Sequence, residues 1–294
     1  MRHAHAWVFV TVLLLTPTVV ASAQSDADSG SATTPGSGAF ARWEISLGGQ
    51  VGVPRGFVKV GEFDRSGDKL RFSKDLGIDT FEVANVGAAV HLTDRDALRA
   101  RLDYSFLWGG TQLDRDVAFN GATLAGDTHL QSRPVYTRIT GLYEHAFISE
   151  PNGALLAGGA GVTFVYLHFK LHGTLAPTTI GHETQEDFYA QELPVPLVSL
   201  RGEYPIAPRV RLIAIVDGGF LPKLDSLRTE GGTVKLAQGH ADVFAGVRYA
   251  ITPQLFADGG FSYTYFSQHE TSGEDNNEIL FLGYAFGFGL TYAL

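Results

Sequence analysis

The chain has 294 residues, 45% of them hydrophobic and 18% charged, with 35 glycines, 20 Phe, 11 Tyr and no Cys. That hydrophobic share belongs to a folded protein, and the missing Cys excludes a disulfide scaffold, a Cys-ligated metal site and a lipid anchor on Cys. A net charge of −9 makes phosphate-backbone binding a poor prospect, so no nucleic-acid partner is expected, and no repeat of 20 to 50 residues marks a solenoid.

The first element is an export signal. Met1 to Trp7 carries Arg2, His3 and His5, Val8 to Leu15 is apolar, and Ala21-Ser22-Ala23 offers a small-residue cleavage site. Pro17 interrupts the run, which is too short to span a bilayer as a helix. Residues 1–23 are therefore expected to be a cleaved signal peptide, and 24–41, rich in Ser, Gly and Thr, a flexible polar linker.

From 42 to 294 the dominant pattern is alternation, the mark of strands whose successive side chains point to opposite faces. Trp43, Ile45, Leu47, Val51 and Val53 share one face, with Glu44, Ser46 and Gln50 on the other. After a less regular stretch at 80–92, Leu98, Ala100, Leu102, Tyr104, Phe106 and Trp108 alternate with Arg99, Arg101, Asp103 and Ser105. Val135 to Phe147 sets Ile139 and Tyr143 against Arg138 and Glu144, and 154–171 repeats the pattern weakly. Val198 to Tyr204 alternates with Arg201 and Glu203, and Val210 to Phe220 with Arg211 and Asp217. Ala241 to Tyr249 alternates with His240, Asp242 and Arg248, and Leu255 to Tyr265 with Asp258, Ser262 and Thr264. Leu280 to Leu294 closes the series against Gly283, Gly287, Gly289 and Thr291.

Ten such segments fit a soluble sandwich or a membrane barrel, and three features choose between them. The segments run from about 11 to 18 residues where soluble strands cluster near 5 or 6, long enough to cross a bilayer at a tilt. Short connections (93–96, 149–153, 205–208, 252–253) alternate with long ones (54–78, 109–131, 173–191, 223–233, 267–277). The polar face carries charges of both signs while the other face is apolar or aromatic. Aromatics also gather at both ends of the segments, as at two water boundaries. The fold class expected is all-β: a closed antiparallel transmembrane β-barrel of about ten strands, with eight to twelve possible. Val58 to Phe63 and Lys69 to Phe72 could add a hairpin to the wall.

On these residues the chain resembles the bacterial outer-membrane β-barrel proteins of the OmpA-like and porin-like class. The resemblance covers nearly all of 42–294 and departs at the end, where Tyr292-Ala293-Leu294 replaces the terminal aromatic residue usual in that class. It implies location in the outer membrane, outer-membrane lipids as surroundings, the barrel-assembly machinery as partner during insertion, and a monomer.

A ten-stranded barrel is narrow, its interior near the size that side chains fill. The inward residues Glu44, Arg99, Arg101, Asp103, Arg138, Glu144, Arg201, Glu203, Arg211, Asp217, His240, Asp242, Arg248 and Asp258 should therefore pair, because buried charges are costly alone. A pore lining of mixed charge is the alternative use of the same residues. His240 and Asp242, with Asp114 and Asp116, are similar to the Asp–His and Asp–Asp pairs of the ten-stranded omptin proteases. Here, however, the order is His-x-Asp, and Asp114 lies beyond the aromatic end of its strand. His168 and His172 fall on a strand, where four residues span about 13 Å, too far to share a metal. His182, Glu183, Glu186 and Asp187, and likewise Glu270, Glu274, Asp275 and Glu278, read as solvated acidic loop stretches. Neither a nucleophile-elbow Gly-x-Ser-x-Gly nor a phosphate-cradling Gly-Lys-Ser/Thr loop occurs. No catalytic residue, cofactor or metal is expected, and the function read from sequence is a structural or surface-interaction barrel, with a small-solute pore as the alternative.

Overall fold

The structure is a computed structural model and describes residues 43–62, 65–151, 153–177, 185–188, 193–229 and 233–294. The expected signal peptide and linker lie outside the described residues.

Ten long strands form the wall: β1 (Trp43–Lys59), β2 (Phe81–His91), β3 (Asp96–Leu107), β4 (Val135–Ser149), β5 (Leu155–His172), β6 (Val195–Ala207), β7 (Val210–Thr229), β8 (Thr233–Ala250), β9 (Leu255–Thr271) and β10 (Asn276–Ala293). Each pairs antiparallel with its neighbours in sequence, and β10 pairs with β1 from Ala293↔Glu44 to Glu278↔Lys59, closing the sheet on itself. Closure leaves no wall strand with an unpaired edge, the condition for a sheet surrounded by hydrocarbon.

Side chains obey the period of two. On β3, Leu98, Leu102 and Phe106 are 49%, 42% and 44% exposed, while Asp103 and Ser105 between them are buried. The same outward row continues through Ile139, Val198, Leu200, Val216, Val247, Phe261, Phe286, Phe288 and Leu290 on the other strands. An apolar surface running round a whole molecule is foreign to monomeric soluble proteins.

The two ends differ. At one, short turns join the strands and the two ends of the described chain meet, with the Leu294 amide donating to the Trp43 carbonyl at 2.8 Å. At the other lie the longer connections. Two of those expected to be long, 223–233 and 267–277, are mostly strand: β7 and β8 reach Thr229 and Thr233, and Ser272 to Asp275 alone separates β9 from β10. The possible extra hairpin does not join the wall. Leu70–Arg71 pairs briefly with Phe57–Val58, then the chain turns Leu70 and Phe72 into the interior. Burial of those two side chains outweighs edge pairing, and the wall keeps ten strands.

The residues from 109 to 131 fold too. Gly109–Gln112 pairs with His129–Ser132, and between them Val117–Phe119 pairs with Ala122–Leu124 around Asn120-Gly121. Both turn residues have positive φ, 49° and 68°, the conformation that a two-residue hairpin requires and that Asn-Gly supplies at low strain. Val117, Phe119, Ala122 and Leu124 are all buried. Val117, Phe119 and Leu124 join Val58, Val60, Leu76, Ile78, Phe81, Val165, Phe169, Phe266 and Ile279 in one apolar cluster at the loop end. Phe281 meets Phe72 and Phe81 edge to face, at 5.7 and 5.3 Å between ring centroids, and Phe169 packs on Phe119 at 6.0 Å. The outer half of the lumen is thus a packed core, a plug made by inward residues of the wall and by the loops folded over them.

Candidate functional site

Below the plug the lumen is charged, and its side chains connect from strand to strand. His91 of β2 contacts Glu44 of β1 at 3.0 Å, and Glu44 accepts from Arg99 of β3 at 3.3 Å. Arg99 donates to Glu144 of β4 at 3.1 Å, and Glu144 takes Arg201 of β6 at 2.6 and 3.1 Å. Glu203 receives Arg201 at 3.1 Å, Arg211 at 3.3 Å and Arg248 at 2.8 Å. Arg248 then grips Asp258 of β9 with two bonds of 2.8 Å. One chain therefore crosses the lumen, a hydrogen bond from β2 to β1 followed by ion pairs as far as β9. Its order follows from alternation: eight of the ten strands turn charged or polar side chains inward here, where a lone buried charge is costly unless it meets a partner.

A second, smaller cluster sits nearer the plug. Asp103 accepts from Arg101 at 3.1 Å and from Arg138 at 3.0 Å, and Arg138 also bonds Asp242. Asp242 accepts from Thr264 at 2.9 Å. Asp217 and Asp242 face each other directly across β7 and β8, an unfavourable pairing of like charges. Arg138 relieves it on one side, and Arg101 approaches Asp217 to 4.0 Å on the other.

Among the ion pairs a cavity of about 250 Å³ remains, lined by charged side chains of the network such as Arg99, Arg101, Glu144 and Asp217 and by small residues such as Ser46, Gly87, Gly287 and Gly289. Glycine spares space there: a Cβ on Gly87 would come within 2.5 Å of the Ser46 hydroxyl. A smaller space of about 60 Å³ lies inside the plug, lined by Phe72, Phe81, Leu107, Tyr136, Phe266 and Phe281.

Thirteen of the fourteen residues expected in the lumen network are thus ion-paired, and His240 stands apart: its Nε2 contacts Gln238 at 3.0 Å and its ring packs on Phe266. The His240–Asp242 pair is not assembled into a dyad, since Asp242 is held by Arg138 and Thr264. Asp116 accepts the Gly126 amide at 2.7 Å in the loop hairpin. His168 and His172 lie on β5, as read. Glu270 is buried and accepts from Gln268, so it is not the solvated loop residue expected. His182 and Glu183 lie outside the described residues, and among those described no group of three His, Asp or Glu could hold a metal ion.

Sequence reading missed His91, the polar file Gln238–Gln268–Glu270 and the whole plug. His91 carries the signal of an inward position two residues from Ala89, and Asn120-Gly121 between apolar residues marks the plug hairpin.

One carboxylate outside the wall is electrostatically perturbed. Burial pushes the Asp75 carboxyl up, but Arg71 outweighs it through a side-chain bond of 3.0 Å and a backbone bond of 2.8 Å, so Asp75 is held below the usual carboxylate range.

No protein-family model matches the chain, and no curated protein sequence does. Among solved structures it is similar to the outer membrane protease OmpT from Escherichia coli, at 13% identity and a TM-score of 0.43, over 87% of this chain and 98% of that one. It is similar to the transport unit of the autotransporter AIDA-I from Escherichia coli, at 10% identity and a TM-score of 0.41, over 86% and 90%. It is also similar to the outer membrane protein OprG from Pseudomonas aeruginosa, at 11% identity and a TM-score of 0.35, over 87% of this chain and 98% of that one.

Proposed function

We propose that the chain is an integral outer-membrane β-barrel whose lumen is closed by its own side chains and whose role is structural or surface-presenting. The observation that carries this reading is the double seal: a chain of ion pairs from Glu44 to Asp258 across the lumen, under an apolar plug. The apolar exterior supports the membrane, and the asymmetry of turns and loops supports an orientation with the turn end in the periplasm. Closure within one chain supports a monomer, surrounded by outer-membrane lipids and inserted by the barrel-assembly machinery. A hydrolytic step is not part of the proposal, because Asp242 and His240 are committed to other partners.

Conductance across a planar bilayer tests it. The refolded protein is expected to carry no steady current. A clear ion-selective single-channel current, altered by charge reversal at Arg101 or Arg211, would replace the closed barrel with a small-solute pore. Recovery of the protein from periplasm without detergent would end the membrane reading itself.

A further inference from the structure

The cavity among the lumen ion pairs is lined by two charged groups that the network leaves partly unused. Arg101 lines it and is 36% exposed there, although its side chain points into the barrel. Among the described residues it makes one side-chain hydrogen bond, from Nε to Asp103 at 3.1 Å, and its Nη1 stops 4.0 Å from Asp217, beyond hydrogen-bond reach. Asp217 lines the same cavity and is 5% exposed, and its Oδ1 has no hydrogen-bond partner among the described residues. A buried carboxylate oxygen without a donor is costly, so a donor brought by a ligand is favoured there.

Three properties of the lining define what fits it. Its charges balance, five arginines against five carboxylates, so a solute with a net charge would be left uncompensated in a buried place. The charges are also separated by sign. Arg99 and Arg101 project from β3, while Asp217, Asp242 and Asp258 come from β7, β8 and β9 on the opposite side of the closed sheet. The volume of about 250 Å³ is that of about eight water molecules, room for a small solute only. A short molecule with one positive end, one negative end and no net charge matches all three.

We infer that the lumen cavity binds a small zwitterionic amino acid. Its carboxylate takes the Nη1 and Nη2 edge of Arg101, the planar fork that pairs with two oxygens, and its ammonium donates to Asp217. The plug closes the loop end, so the solute enters from the turn end, where Arg211 of the network is half-buried and in reach of water. The inference rests on the closed-lumen reading above for that direction of entry. It goes beyond it by giving the lumen a ligand.

The test uses the refolded full chain in detergent micelles, with heat-modifiable gel mobility confirming the fold of each sample. Alanine is titrated by calorimetry beside lactate, which lacks the ammonium, ethylamine, which lacks the carboxylate, and trimethylglycine, whose ammonium has no N–H. Alanine is expected to saturate one site, and each of the other three to bind about tenfold more weakly or worse, the loss of a charge-assisted contact. Arg101→Gln should weaken alanine by a similar factor. Asp217→Asn should abolish the preference for alanine over lactate, a change that altered packing alone would not bring. If either variant lacks the folded mobility, the ranking of the four solutes on the unaltered chain decides. No saturable heat with alanine, any of the other three binding as tightly as alanine, or unaltered titrations in both folded variants would overturn the site. A steady single-channel current beside intact alanine binding would refute the closed barrel alone, and a silent bilayer with no alanine binding would refute the site alone.

Discussion

Glu203→Gln tests the closure of the lumen at its most connected residue. Glu203 is 3% exposed and accepts from Arg201, Arg211 and Arg248 at 3.1, 3.3 and 2.8 Å. The amide keeps one acceptor oxygen and loses the charge. Arg201 retains Glu144 and Arg248 retains Asp258, so each keeps a full partner. Arg211 loses its one carboxylate partner among the described residues but is 36% exposed, so water recovers part of its solvation. Removing one partner of a buried pair costs about 3–5 kcal/mol, and the retained partners argue for the lower end, about 3 kcal/mol. Urea unfolding in micelles, read by gel mobility and tryptophan emission, measures it through a shift in midpoint at unchanged slope. A loss under about 1 kcal/mol, the value of a solvated surface pair, would refute the reasoning. It would mean that the lumen is wet and the ion pairs do not seal it.

Further outcomes follow from the two faces, the plug and the loop. Leu102→Arg places a cation on the lipid side of β3 and should destabilise the barrel by about 2–4 kcal/mol if that position lies at mid-membrane, measured by the same urea titration. Apolar probes on single Cys substitutions should reach positions 98, 100, 102, 104 and 106 and miss 99, 101, 103 and 105; uniform labelling would undo the assignment of faces. Phe119→Ala empties the centre of the plug, with a cost of about 3–5 kcal/mol, and planar-bilayer recording should show transient current that the unaltered chain lacks. The Arg71–Asp75 clip depends on pH: because the folded carboxyl sits below its unfolded value, its stabilisation is full above that unfolded value of about 4 and is lost as pH falls through the folded one. Proteolysis of the 65–80 segment should accelerate at low pH, and Asp75→Asn should remove that dependence.

Much of the wall was legible in the residues alone. The strict alternation of Leu98 to Trp108 names its strand and both of its faces, because a period of two allows no other arrangement of apolar and charged side chains. The same logic yields the ten strands, the short turns and an interior of charges that must pair, but it cuts four strands short, since 223–233 and 267–277 are mostly strand. Which charge meets which was not legible. Arg138 and Asp242 stand 104 residues apart, and Ser262 and Gln50 stand 212 apart. Such partners are set by the curvature of the closed sheet and by the register of every strand between them. The plug is the plainest case. Asn120-Gly121 announces a hairpin locally, but nothing near it says that Phe119 and Leu124 will turn into the mouth of the barrel instead of lying over it. That choice belongs to the tertiary structure, since only the assembled wall offers Phe169, Ile279 and their neighbours as the apolar surface against which the loop can bury itself.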